Sequence, residues 1–404
     1  MQGVDNVMKP VKIVLAGIGG YGGVYVRTLL GGGSPVPYEF VGAVDPYAEN
    51  SPHYEALKAE NIPIYESLEQ FYAANEADLA VISTPIQFHA AQTCLALANG
   101  SNVLCEKPLS GSMADVRRMI EARDRANKFV AIGYQWSFSS AIQELKKDIR
   151  NGLFGRPLRL KTIVLWPRTH KYYARKWAGK LLAEDGTPIL DSVSNNATAH
   201  YIHNMFYVLG EEPDRSARPA RVTAELYRAN EIENYDTAAM RTFTGDGVEL
   251  LYFGSHAVHA KLGAVFHYEF EHAEIRYNQD EASPELTAVF KNGEVKRYGD
   301  PNGETPEKLW QSVAAVRGEG PIVCGIEAAM SQTQCITAMQ QSVGGIAEFP
   351  REMLRIGAVQ GEDEGTYAEG LFEQLKNCYE QGVLPSEAGY AWARAGREVA
   401  VGTD

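Results

Sequence analysis

The sequence has little cysteine, no long apolar run and a deficit of positive charge, and each shortage removes a class of function. Five cysteines, Cys94, Cys105, Cys324, Cys335 and Cys378, occur in 404 residues, an odd number with no CxxC pair. That count supports neither a disulfide framework nor a zinc knuckle and points to a reducing compartment. No stretch approaches the roughly 18 uninterrupted apolar residues of a membrane span, and residues 1–10 lack the apolar segment of a secretory leader. The expectation is therefore a cytoplasmic protein with no membrane partner. Basic residues number 38 against 51 acidic ones, a net charge of -13. Such a balance repels phosphate backbones, so no nucleic-acid partner is expected, although a local basic patch can still hold one small anion. With 45% hydrophobic and 22% charged residues the chain is neither disordered nor collagen-like. At about 150 residues per domain, its length suggests two domains plus extensions.

Between Val11 and Trp136, short apolar runs of β type alternate with helix-period segments, the sequence form of a parallel sheet covered by helices. The runs are residues 12–16, 40–44, 79–83, 102–105 and 129–134; the helices are expected at 21–30, 68–74, 90–99 and 114–127, the last with Ser112 as its N-cap. Beyond Trp136 the pattern changes to a helix at 141–150, a strand at 158–165, an irregular stretch and a helix at 195–209. Strands then follow at 221–227, 237–244, 249–253, 266–270, 273–277 and 287–290, with Gly245-Asp246-Gly247 as a hairpin turn. Strands in series without helices predict an antiparallel sheet and a second, α+β domain. The chain from residue 304 reads as mostly helical, at 327–341, 367–380 and 387–399.

Directly after the first run stands Gly17-Ile18-Gly19-Gly20-Tyr21-Gly22, a complete GxGxxG that opens a helix. Glycines there permit a tight turn and close backbone approach, and the helix N-terminus offers N–H groups and positive dipole to a pyrophosphate. The second run ends in Asp45, 23 residues past Gly22, close to the roughly 20 residues expected for a ribose-binding carboxylate. Such a carboxylate accepts from both ribose hydroxyls and repels a 2′-phosphate, which favours NAD over NADP.

Two further stretches extend this reading. Val81-Ile82-Ser83-Thr84-Pro85-Ile86-Gln87-Phe88-His89 is a strand followed by TPxxxH, and Asn102-Val103-Leu104-Cys105-Glu106-Lys107-Pro108 is a strand followed by EKP. With the glycine turn, these resemble the Gfo/Idh/MocA family, named for glucose-fructose oxidoreductase, inositol dehydrogenase and a rhizopine-catabolism protein. The likeness runs through nearly the whole first domain and continues more loosely to about Gly345. It implies an α/β Rossmann N-terminal domain over residues 1–136 and an α+β C-terminal domain over 137–350 with a large open, mainly antiparallel sheet. That sheet often forms a subunit interface in the family, so a homodimer or homotetramer is expected, and residues 351–404 are read as a helical C-terminal extension. The implied chemistry is NAD(P)-dependent redox at a secondary hydroxyl or keto group of a sugar, sugar acid or cyclitol. The implied cofactor contacts are Gly17, Ile18, Gly19, Gly20, Tyr21, Gly22, Asp45, Ser83, Thr84, Pro85, His89, Glu106, Lys107 and Gln135.

Oxidising a secondary alcohol requires a base for the hydroxyl proton and a donor group beside the departing hydride. In the resemblance, the EKP lysine, Lys107, touches both nicotinamide and substrate, and a histidine at the start of a second-domain helix is the acid or base. The family's approximate DxGxHxxD signature places that histidine at His200, whose side-chain type titrates near about 6.5 and suits proton transfer. Here the sequence departs from the pattern: Asn196 stands where an orienting aspartate is usual, and His203 where the final aspartate is usual. Asp191 is the alternative carboxylate if residues 192–196 are an insertion. His200 and His203 lie three apart, but without a second ligand cluster no metal is expected. The stretch from Trp166 to Trp177 is aromatic and basic with no acid in it. Trp166, Arg168, His170, Tyr172 and Trp177 are candidates for the substrate, since aromatic faces stack on sugar C–H surfaces and arginine can fork onto a carboxylate; the resemblance adds Trp136, in the segment after the sixth strand, and His203, at the last position of the signature. An exposed loop or a subunit contact explains the same stretch equally well. Two other functions stay open: cleavage of a glycoside by transient oxidation with no net redox, and a non-catalytic dinucleotide-binding sensor.

Overall fold

The computed structural model describes residues 9–303, 306–361 and 363–402. Residues 1–8, on which most of the leader reading rests, lie outside the described residues. The chain divides into two compact units. One comprises the chain up to Ser110, Ala114–Phe138 and the segment ending at Ile326; the other comprises Gly111–Met113, the chain from Ser139 through the large sheet, and everything from Glu327 on.

In the first unit, β1 (Val11–Ala16), β2 (Tyr38–Val44), β3 (Ile64–Tyr65), β4 (Leu79–Ile82), β5 (Asn102–Cys105) and β6 (Val130–Ile132) make a sheet in the order β3-β2-β1-β4-β5-β6. Every pairing in it is parallel. The connecting helices are α1 (Gly22–Gly31), α2 (Tyr54–Ala59), α3 (Leu68–Ala74), α4 (Ile86–Ala98) and α5 (Met113–Ala126). Leu79, Ala80, Val81 and Ile82 of β4 are all fully buried, as continuous apolar strands must be when a parallel sheet is covered on both faces. The strand order reverses between β1 and β4. At that switch point the carboxyl ends diverge and leave a crevice, the usual ligand position in open α/β sheets. The sequence pattern missed β3 and α2, which at two and six residues are too short to show a period.

The second unit begins with α6 (Ser140–Arg150), β7 (Pro157–Leu165), the single turn α7 (His170–Tyr173) and α8 (Ala199–Val208). It continues with β8 (Pro219–Arg228), β9 (Thr237–Thr244), β10 (Glu249–Ser255), β11 (Leu262–Phe270), β12 (Ala273–Asn278), β13 (Leu286–Phe290) and β14 (Val295–Gly299). The chain then returns to the first unit as α9 (Glu307–Val316) before α10 (Ile326–Ser342), β15 (Ala347–Glu348), β16 (Leu354–Gln360), β17 (Asp363–Ala368), α11 (Leu371–Gln381) and β18 (Val399–Ala400) complete the second. The large sheet runs β14-β13-β12-β11-β7-β10-β9-β8-β15, with β18 also on β8. Only the β7–β10 and β8–β15 pairings are parallel, so the sheet is mainly antiparallel, as its sequence of uninterrupted strands requires.

Residues 351–404 are not the helical extension expected. Residues 354–368 form the antiparallel hairpin β16–β17, α11 begins only after Gly370, whose φ is +79°, and no helix covers 387–399 among the described residues. Gly389 has φ +78°, and at Gly396 a Cβ would strike the Ala224 carbonyl. The backbone there lies flat against β8 and pairs with it through β18. The helical periodicity read in this stretch was outweighed by glycine conformation and close packing. The extension also covers sheet surface: Leu371, Leu375, Cys378, Leu384 and Trp392 pack on Ile163, Leu165, Leu251 and Phe253. Among the described residues no helix is long and apolar enough to cross a membrane.

Candidate functional site

The first unit gathers its sequence-predicted residues around the β1–β4 crevice. Three main-chain bonds extend the sheet past the strand ends: Gly17 N donates to Val44 O (2.8 Å), Ser83 N to Ala16 O (2.7 Å) and Glu106 N to Ile82 O (2.8 Å). They bring the glycine turn, the TPxxxH turn and the EKP turn side by side. Gly17 has φ +86°, and a Cβ there would sit 2.5 Å from Ser83 O; a Cβ at Gly22 would strike Gly17 O. At Gly19 and Gly20, by contrast, a Cβ meets nothing within 4 Å. Gly22 thus closes the turn on itself and Gly17 seats it against the turn after β4, while Gly19 and Gly20 leave open space over the start of α1, whose N-cap makes no side-chain hydrogen bond. That cradle fits a dinucleotide pyrophosphate. Asp45 is half-buried, and its carboxylate accepts from Ile18 N (3.1 Å) and Tyr47 N (2.9 Å). An ionised carboxylate has about four acceptor positions, so two of them are used to fix Asp45 against the turn and capacity remains for ribose hydroxyls.

Ser83 and Thr84 are half-buried and Pro85 is exposed at the start of α4. His89 is 1% exposed and braces two turns: its Nδ1 lies 2.8 Å from Pro108 O and its Nε2 2.9 Å from Thr84 O. Both nitrogens face main-chain carbonyls and burial pushes its pKa below the ordinary histidine value, so His89 shapes the crevice through the loops it joins rather than by touching a ligand. Glu106 is buried; its Oε1 accepts from Tyr25 OH (2.6 Å) and from the Lys308 ammonium, and its Oε2 from Lys107 N (3.2 Å). Lys107 itself is half-buried. Gln135 accepts from Tyr21 OH at 3.1 Å, which ties it to the glycine turn. Trp136, expected toward the substrate, is 3% exposed and belongs to the core of this unit.

In the second unit Asp191 is 2% exposed and accepts from Gly179 N (2.6 Å) and Asn196 Nδ2 (2.8 Å). The carboxylate and the amide expected to replace one another are thus one hydrogen-bonded pair, held by the wide π-type turn Val193–Ala197 that precedes α8. His200 is half-buried in the first turn of α8. His203, expected toward the substrate, is 1% exposed and stacks on Tyr207 at 5.4 Å, with the Lys146 ammonium 3.6 Å over the other ring. Helical spacing put His203 on the face of His200, but Tyr201–Val208 are all buried, so α8 has no solvent face for spacing to mark. Among the described residues no group of three or more His, Cys, Asp or Glu side chains is placed to hold a metal ion.

The aromatic–basic stretch splits in two. Arg168 and Arg175 lie over the Tyr172 ring, each at 5.1 Å, and Trp177 packs edge-on to Tyr172 at 6.0 Å. Trp166 donates through Nε1 to Gly263 O (2.5 Å) and packs edge-on to Tyr201. His170 departs from this cluster: it is exposed, with Nε2 2.9 Å from Thr366 Oγ1 on the β16–β17 hairpin. One residue that no motif flagged joins the cluster. His256 is 2% exposed, its ring is 6.0 Å from that of Tyr172, and its Nδ1 lies 2.7 Å from Trp166 O. A carbonyl only accepts, so Nδ1 carries the proton.

Burial, with the Arg168 guanidinium nearby, pushes the His256 pKa down to about 3, and burial beside Lys146 holds His203 well below the ordinary value. Both imidazoles are neutral when folded, whereas the unfolded chain protonates them near pH 6.5. The unfolded state then binds more protons, so stability falls as pH drops through about 6.5 and continues to fall until the folded pKa is reached, by up to about 1.4 kcal/mol per unit for each group. Urea unfolding measured from pH 7 to 5 should show this slope, and His256→Gln should remove about one proton's worth of it. An unchanged slope in that variant would mean that His256 is charged in the folded protein.

Residues 11–134 match the family described as "Oxidoreductase family, NAD-binding Rossmann fold". The rhizopine catabolism protein MocA of Rhizobium meliloti is 27% identical over 206 residues, which is 51% of this chain and 59% of that protein. Inositol 2-dehydrogenase of Klebsiella pneumoniae is 29% identical over 154 residues, 37% of this chain and 44% of that protein. The chain thus spans less than two thirds of the length of these relatives. Among solved structures, the WlbA dehydrogenase of Bordetella pertussis, in complex with NADH and UDP-GlcNAcA, superposes with a TM-score of 0.68 at 21% identity, covering 83% of this chain and 96% of that one. The myo-inositol 2-dehydrogenase of Lactobacillus plantarum gives 0.67 at 18% identity, over 83% and 97%. At these identities the solved structures share the fold.

Proposed function

We propose, for a chain that belongs to the Gfo/Idh/MocA family of NAD-binding oxidoreductases, an NAD-dependent dehydrogenase acting on a secondary hydroxyl of a sugar, sugar acid or cyclitol. The observation that carries this reading is the Asp45 carboxylate held on Ile18 N beside a glycine turn that is closed at Gly17 and Gly22 and open at Gly19 and Gly20. A bound NAD supplies the nicotinamide ring that takes up the hydride. The glycine turn and the N-terminus of α1 hold the pyrophosphate, and Asp45 accepts from the ribose. Lys107 donates to the oxygen of the reacting carbinol, and His200 removes its proton as general base. The Asp191–Asn196 pair fixes the turn from which His200 projects. Trp166, Arg168, Tyr172 and Trp177 form the sugar-facing set, with Arg168 suited to a carboxylate or phosphate.

The same reading makes the protein a cytoplasmic homodimer or homotetramer that assembles through surface other than the sheet area covered by α11. A dehydrogenase screen with NAD and a panel of pyranosides, inositols and uronic acids tests the activity. Reduced cofactor should accumulate with at least one member. A panel that yields none, with NADH binding intact, would overturn the activity.

A further inference from the structure

Lys308 is the most deeply buried charge in the first unit outside any motif. It is 2% exposed, lies on α9, and stands 202 residues beyond Glu106 in sequence. Its ammonium forms an ion pair with Glu106 Oε1, donates to Tyr21 OH (3.1 Å) and Gly133 O (3.4 Å), and sits 4.4 Å over the Tyr21 ring. Each of these partners belongs to a different turn at the end of the parallel sheet. Tyr21 is in the glycine turn, Glu106 opens EKP and carries the Lys107 N–H on its other oxygen, and Gly133 follows β6. The crowding there is tight enough that a Cβ on Gly133 would lie 2.8 Å from Glu106 Oε1. A plain salt bridge would need only one acceptor. Replacing such a buried pair by apolar residues is often neutral or stabilising, so burying this one needs a reason other than stability.

We infer that Lys308 is a positioning residue for the dinucleotide, holding the Tyr21 hydroxyl and, through Glu106, the Lys107 main chain in the register that the glycine turn needs to receive the cofactor. The inference rests on the proposed function above and deepens it. Tyr21 is 41% exposed, yet its hydroxyl is held between Lys308 Nζ and Gln135 Oε1. The ring is therefore fixed at the lip of the cradle without being packed into the core, an arrangement that helps a ligand more than it helps the fold. Fixing a lip residue before binding lowers the ordering cost that binding must meet.

The test uses the full chain and reads NADH affinity by fluorescence titration alongside the urea unfolding midpoint. Wild type is titrated first: no NADH binding there would sink the cofactor reading itself, before any variant is compared. Lys308→Met leaves Glu106 buried without its cation and should destabilise the protein as well as weaken NADH binding, so it does not decide the matter alone. Two further variants do. Glu106→Gln combined with Lys308→Met removes both charges and should recover most of the unfolding midpoint while NADH binding stays about tenfold weaker. Tyr21→Phe keeps the Lys308–Glu106 pair and the ring but removes the hydrogen bonds from Lys308 Nζ and to Gln135 Oε1; it should leave the midpoint nearly unchanged while weakening NADH about fivefold. Wild-type NADH affinity in either variant, with wild-type binding established, would reduce Lys308 to a counter-charge for Glu106 and overturn the inference alone.

Discussion

Lys107→Ala should lower turnover about a thousandfold, in the middle of the range usual for a positioned proton-transfer or donor group, and leave NADH affinity within about threefold of wild type. The asymmetry follows from what each part of Lys107 does. Its main-chain N–H is what binds Glu106 Oε2, and alanine keeps that bond, so the turn after β5 retains its shape. Only the ammonium is lost, and the proposed role of the ammonium is toward the substrate oxygen. An interaction made chiefly in the transition state lowers kcat and kcat/KM together when removed, whereas uniform binding raises KM alone. Stopped-flow or steady-state kinetics on whichever sugar the screen identifies, paired with an NADH titration, separates the two. Full turnover in Lys107→Ala would remove Lys107 from the chemistry. A turnover loss matched by an equal loss of NADH affinity would make it a cofactor-binding residue only.

The glycine turn yields the second large effect, in which neighbouring glycines respond oppositely. At Gly22 an alanine methyl would strike Gly17 O and lie 2.8 Å from Gly17 C. Both are main-chain atoms with no soft direction in which to move, so Gly22→Ala should cost about 2–3 kcal/mol and abolish dinucleotide binding as well. At Gly19 a methyl meets no protein atom within 4 Å. Gly19→Ala should therefore unfold at the wild-type urea concentration. The same methyl would occupy the open space over the turn where the pyrophosphate is proposed to lie, and NADH binding should weaken more than about tenfold, or about 1.4 kcal/mol. Loss of binding without loss of stability marks a ligand cradle, because a turn that served only to connect a strand and a helix would tolerate Gly19→Ala in both assays.

How much of this was legible in the sequence depends on how local the signal was. The first unit was readable because its strands are buried on both faces and appear as unbroken apolar runs, and because the glycine turn, TPxxxH and EKP each sit within a few residues of a strand end. The large sheet was readable from strands that follow one another without helices. What escaped was tertiary. Nothing near Lys308 signals that α9 leaves the second unit and packs its ammonium on Glu106, and nothing in Ser255-His256-Ala257 signals a buried imidazole beneath the aromatic–basic stretch. The resemblance put Trp136, and the family signature with helical spacing His203, toward the ligand, yet both side chains are buried. A helix such as α8, buried at every position but His200, erases the distinction that amphipathic spacing depends on. The extension differs for another reason: residues 387–399 contain good helix formers, but Gly389 has φ +78° and Gly396 packs so closely on β8 that a Cβ would strike the Ala224 carbonyl.

The most direct measurement of the central claim is a pair of equilibrium titrations, NADH and NADPH, into wild type and into Gly19→Ala. With the pyrophosphate on the turn and Asp45 facing the ribose, NADH should bind wild type at least about tenfold tighter than NADPH, since a 2′-phosphate meets a fixed carboxylate. Gly19→Ala should bind both weakly while remaining folded. Equal binding of the two cofactors by wild type, or undiminished NADH binding by Gly19→Ala, would place the dinucleotide elsewhere and contradict the account.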